Sequence, residues 1–124
     1  MTPEGKLSAE LVAFLEGQGW RSKRNQRTFS RKGFSTGEPG MPDFLFLCYL
    51  PSGVTLALWI EMKTPKGELR PQQKTWILRE RGRGALVMVV DDVERFKCWY
   101  NTEFAWLATA KKAESTHALF SEKG

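Results

Sequence analysis

Two apolar runs, residues 42–50 and 54–63, are separated only by Pro51-Ser52-Gly53. Runs of this length bounded by turn residues read as strands, and so short a connection folds them back as an antiparallel hairpin. A hairpin lays the head of the first run beside the tail of the second. Asp43 stands at that head, after Pro42, and Glu61-Met62-Lys63 stands at that tail. Residues i and i+2 of a strand share a face, so Glu61 and Lys63 project together, next to Asp43. Two carboxylates and an ammonium converging at the edge of a buried sheet suit a hard divalent cation and a phosphate.

The rest of the chain frames this hairpin. Residues 3–18 read as a helix, with Leu7, Leu11, Phe14 and Leu15 on one stripe, Thr2 as N-cap and Pro3 at the first helical position. Residues 20–41 follow no clear period and read as a basic loop, with a short strand around residues 27–30. Pro65 and Gly67 mark a turn. Residues 70–81 read as a second helix with Leu69, Gln73, Trp76, Ile77 and Glu80 facing inward. The Val-rich stretch 85–90 reads as a third strong strand, and residues 93–108 as one aromatic-rich helix. The order of elements predicts an α/β domain, a small mixed sheet flanked by helices. One domain spans residues 1–110, followed by a polar, frayed tail over 111–124. The hairpin strands are apolar on both faces, which predicts helices on both sides.

Composition narrows the chemistry. A chain of 124 residues with 41% hydrophobic content holds one core. The net charge of +5 favours a polyanionic partner. His117 is the single histidine and lies in the polar tail, while Cys48 and Cys98 have no C-x-x-C spacing. Zinc sites of Cys and His, and mechanisms that need a histidine base paired with histidine ligands, are thereby removed. Carboxylate-held Mg²⁺ survives. Cys48 lies in an apolar run and reads as a core residue. No apolar run approaches a membrane span and no secretory signal is visible, so a reduced, cytoplasmic setting is expected.

Gly40-Met41-Pro42-Asp43, then Glu61-Met62-Lys63, then Leu69-x-Pro71-x-Gln73 before a helix and a Val-rich strand resembles the PD-(D/E)xK nuclease superfamily. Within it the chain is similar to the VRR-NUC group, small domains that occur alone in phages and bacteria and fused in larger DNA-repair nucleases. The resemblance covers about residues 4–92. It implies a restriction-endonuclease-like core and a first-helix acidic residue, for which Glu4 fits the spacing first and Glu10 second. It departs at Arg70, where the family often has Ser or Thr to cap the second helix.

The residue types supply the chemistry. Asp43 and Glu61 offer oxygen ligands to Mg²⁺, with Mn²⁺ expected to substitute. The resemblance implies that the Met62 carbonyl adds another and that Glu4 serves a second metal or a water. Lys63 positions or deprotonates the attacking water, or offsets charge on the phosphate; all three roles stay open. Gln73 orients Lys63 or a water. Arg21, Lys23, Arg24, Arg27, Arg31 and Lys32 of the basic loop, with Lys66 and Lys74, are the expected DNA contacts. The bland alternative makes Glu61 and Lys63 an exposed ion pair worth ~0–1 kcal/mol and Asp43 a turn residue.

The leading function is a metal-dependent DNA endonuclease, selective for branched DNA in the manner of a Holliday-junction resolvase and working as a homodimer. A non-catalytic DNA-binding module and an RNA-processing endonuclease are the alternatives. The Trp-rich last helix (Trp99, Trp106) reads as core or as a dimer face, and Trp99, Tyr100, Phe104 and Trp106 are more aromatics than one helix stripe needs, so part of that surface is expected to form an interface.

Overall fold

The computed structural model describes residues 2–25 and 38–112. Along the chain run α1 (Pro3–Gly17), β1 (Arg21–Arg24), β2 (Phe44–Tyr49), β3 (Thr55–Met62), α2 (Pro71–Gly82), β4 (Leu86–Val90), α3 (Val93–Glu103) and α4 (Leu107–Lys111). The strands form one sheet in the order β1-β2-β3-β4. The first two pairings are antiparallel and β3–β4 is parallel, joined through α2. This is the mixed sheet with flanking helices that the order of apolar runs predicts.

Strand alternation sends side chains to two unequal layers. Phe44, Phe46, Cys48, Leu58, Ile60 and Met62 face α1 and α3, where they pack on Leu11, Leu15, Phe96 and Tyr100. The opposite face carries a smaller cluster of Trp59, Val87, Trp76 and Ile77 beneath α2. A single 12-residue helix covers only part of that face. Ala57 and Thr55 are therefore exposed, and Leu45 and Leu47 only half-buried, so burial on both faces is incomplete. Cys48 lies in the core, and burial pushes its thiol pKa up.

Four expectations need correcting. The stretch after Trp20 is not wholly loop: Arg21–Arg24 pairs with β2 as an edge strand. The strand expected at 27–30 lies outside the described residues. Its basic side chains had masked β1, because pairing with the apolar β2, not its own pattern, makes it a strand. The inward stripe of α2 is narrower than expected. Leu69 packs inward as expected, on the Trp76, Ile77 and Val87 cluster, but from the turn before the helix, and the half-buried Glu80 carboxylate pairs with Arg83 at 2.7 Å.

The last helix is broken. Phe104 leaves helical geometry (φ −112°, ψ 22°), and its ring stacks on Tyr100 at 5.0 Å and meets Trp20 edge-on at 5.5 Å. The chain then resumes as α4, whose Leu107 is buried and whose Lys111 ammonium bonds the Gln18 carbonyl at the end of α1. Finally, the aromatics are not surplus. Trp99, Tyr100 and Phe104 join Phe14, Trp20 and Phe96 in an internal cluster, with the Trp20 indole N–H donating to the Tyr100 hydroxyl at 2.7 Å. Trp106 alone of the four is exposed.

Candidate active site

The segment leading into β2 is fixed by three contacts. Gly40 has φ +84°, and a Cβ there would fall 2.1 Å from the Gln72 carbonyl oxygen, so only glycine lets the chain pass this close to the first turn of α2. Pro42 is fully buried. Asn25, just past β1, donates from its side chain to the Pro42 carbonyl at 2.9 Å and from its backbone to the Asp43 carbonyl at 2.6 Å. Asp43 is thus held where β1, β2 and α2 meet.

Antiparallel register places Phe44 opposite Ile60, so Asp43 stands opposite Glu61. The Asp43 N–H donates to one Glu61 oxygen at 3.3 Å. The other oxygen accepts from the Gln73 amide at 2.7 Å and lies 3.9 Å from the Lys63 ammonium. Glu61 is only 3% exposed, which removes the reading of Glu61–Lys63 as a solvated surface pair. Its carboxyl pKa is raised to about 7, first by burial and then by the Asp43 carboxylate; Lys63 and the Asp43 N–H pull the other way. The Lys63 backbone N–H bonds the Val90 carbonyl, which ties the strand end to β4.

Gln73 bonds Glu61, where the sequence suggested Lys63 or a water. Its carbonyl oxygen accepts from the Arg70 N–H at 2.8 Å while its NH₂ donates to Glu61. The same side chain therefore satisfies the Arg70 N–H at the start of α2, the reciprocal half of a capping box, and grips the carboxylate, while the Gln73 N–H itself bonds the Arg70 backbone carbonyl at 3.0 Å.

Glu4, in the first turn of α1, shares an open cleft of about 580 Å³ with Asp43, Glu16 and Arg24. It is close enough to add, as the smallest cause, to the rise in the Glu61 pKa. Glu10 lies elsewhere, beside Pro65 and Asp92. Of the expected DNA contacts, Arg24 lines the cleft with its guanidinium 5.6 Å from the Phe44 ring centre. Arg21 and Lys23 are exposed on β1, and Lys66 and Lys74 are exposed around the start of α2. Arg27, Arg31 and Lys32 lie outside the described residues. Asn25 was not singled out from sequence. An Asn at the end of a polar stretch carries no signal of its own until the strand before it is known.

The donor set fits a hard cation. Two carboxylates are held side by side, and the raised Glu61 pKa records its burial first and the neighbouring Asp43 charge second. Among the described residues no group of three or more His, Cys, Asp and Glu side chains is placed to hold a metal. Any ion here would rest on two carboxylates, backbone oxygen and water, as Mg²⁺ accepts and zinc does not.

The VRR-NUC domain model matches residues 4–93, most of the chain. The protein belongs to the VRR-NUC family. Through it the chain joins the PD-(D/E)xK nuclease superfamily, and a nuclease domain implies a nucleic-acid partner. No curated protein and no solved structure matches the chain. The VRR-NUC match begins at Glu4 and ends at Val93, so it takes in every element from α1 to β4. Among the described residues no helix is long and apolar enough to cross a membrane.

Proposed function

We propose that this VRR-NUC protein is a Mg²⁺-dependent DNA endonuclease that hydrolyses phosphodiester bonds. The observation that carries the reading is the convergence of Asp43, Glu61 and Lys63 at one strand-end pair, with the Glu61 carboxyl at about 7. A bound Mg²⁺ (or Mn²⁺) would supply a lowered water pKa and charge stabilisation at the scissile phosphate. Asp43 and Glu61 would hold it, with the Met62 carbonyl as a further oxygen. Gln73 fixes the Glu61 rotamer. Lys63 faces the phosphate as a fixed positive charge, and its contact with Glu61 holds it there. Glu4 closes the cleft from the α1 side and orients water.

Branched DNA is the proposed substrate. A four-way junction needs two incisions on opposing strands, and a two-fold dimer supplies two sites in a symmetric relation. Since most of the aromatics of the last helices are used internally, Trp106 is what remains of that proposed dimer face. Cutting of a labelled four-way junction, linear duplex and RNA in parallel, with light scattering on the same sample, tests the reading. It expects the junction cut in preference and about twice the 14.2 kDa chain mass. Preferential RNA cleavage, or a monomer that cuts junction and duplex equally, would overturn the branched-DNA assignment.

A further inference from the structure

The sheet face that α2 leaves uncovered runs straight from the active site. Strand parity puts Asp43, Leu45, Leu47 and Tyr49 on one side of β2, with Glu61, Trp59 and Ala57 beside them on β3, of which Glu61 and Trp59 meet Gln73 and Trp76 of α2 while Ala57 does not. Register places Arg21 opposite Leu47 and Lys23 opposite Leu45, so both cations border the same strip. Ala57 is exposed although it lies on a central strand, so among the described residues nothing packs over this part of the strip. At its far end Tyr49 is 56% exposed, and its hydroxyl accepts from the Arg21 guanidinium at 3.2 Å. Tyr49 lies six residue steps along the strand from Asp43, about 20 Å.

A shallow strip with basic residues along one border and an exposed aromatic ring at its end suits one unpaired nucleic-acid strand. Cations follow the phosphates and the ring offers a face to a base. A duplex exposes no base face to a side chain on a flat sheet. We infer that this strip is a binding site for single-stranded DNA leaving the active site, with Tyr49 as the stacking platform and Arg21 and Lys23 as its phosphate contacts. This rests on the nuclease reading for the direction of the strand, and gives that reading a substrate feature: an unpaired arm several nucleotides from the cut.

The test is read without cleavage, so its failure and that of the nuclease reading are separable. Binding of a fluorescein-labelled single-stranded oligonucleotide and a blunt duplex is followed by anisotropy in EDTA, for wild type, Tyr49→Phe and Tyr49→Ala. Loss of one stacked base weakens binding roughly ten-fold. Tyr49→Ala should show that loss on the single strand alone, and Tyr49→Phe, which keeps the ring, should stay within about two-fold. Thermal melts check that both variants fold, as expected for so exposed a side chain. Unchanged single-strand binding in Tyr49→Ala overturns the site. So does an equal loss on single strand and duplex, which would make the strip a general phosphate contact. A shift in light-scattering mass in Tyr49→Ala would assign it instead to a second copy of the chain.

Discussion

The Gln73 amide donates to the Glu61 carboxylate at 2.7 Å while its carbonyl end accepts the Arg70 N–H, so the first turn of α2 and the C-terminal end of β3 are locked by one side chain. Both ends of the amide are satisfied and Gln73 is buried. Gln73→Ala leaves a buried carboxylate and a helix N-terminus each short of a partner, which costs on the order of 1–3 kcal/mol. Urea unfolding should show that loss. Gln73→Glu should be at least as destabilising at pH 8, because a second carboxylate then meets Glu61. Wild-type stability in both would remove the lock.

Glu61 makes stability depend on pH with a definite sign. Its carboxyl sits at about 7 when folded, against an ordinary 4.5. Below 4.5 it is protonated in both states. From 4.5 to about 7 the unfolded chain releases the proton and the folded protein keeps it, so stability falls as pH rises. The whole loss is on the order of 3 kcal/mol above that window. In EDTA, urea unfolding should therefore give a larger drop between pH 5 and pH 8 for wild type than for Glu61→Gln. Because Mg²⁺ would compete with that proton, added Mg²⁺ should stabilise more at pH 8 than at pH 6. Equal pH dependence in wild type and Glu61→Gln would contradict the raised carboxyl.

Much of this was legible beforehand, and the reasons differ by residue. Asp43, Glu61 and Lys63 could be placed together because hairpin register is set by two apolar runs and a short turn. Glu4 could be preferred by spacing, and the structure puts it, not Glu10, in the Asp43 cleft. β1 was hidden because an edge strand of charged residues borrows its conformation from β2. The bend at Phe104 was hidden because helical periodicity continues through it; the ring contacts with Tyr100 and Trp20 decide it. The partner of Gln73 depended on how α2 sits over the sheet, which no local pattern encodes.

Lys63 is expected to act in the transition state rather than in binding. Losing one group that stabilises developing charge costs on the order of 10²–10³ in rate. Lys63→Ala should lose at least that in kcat, with DNA affinity kept within a few-fold. If affinity collapses while kcat holds, Lys63 is a phosphate anchor.

The cations after Trp20 are expected to contact the DNA backbone. Replacing Arg24, Arg27 and Arg31 together should flatten the log–log salt dependence of duplex binding by about two to three. An unchanged slope would mean that these side chains are merely solvated.

The most direct test of the account is cleavage of labelled branched DNA in Mg²⁺ and in EDTA by wild type, Asp43→Ala and Glu61→Ala, with circular dichroism confirming that each is folded. Cutting by the wild type in Mg²⁺ alone, abolished in both variants, is the predicted result. Full activity in EDTA, or near wild-type activity in either variant, would contradict it.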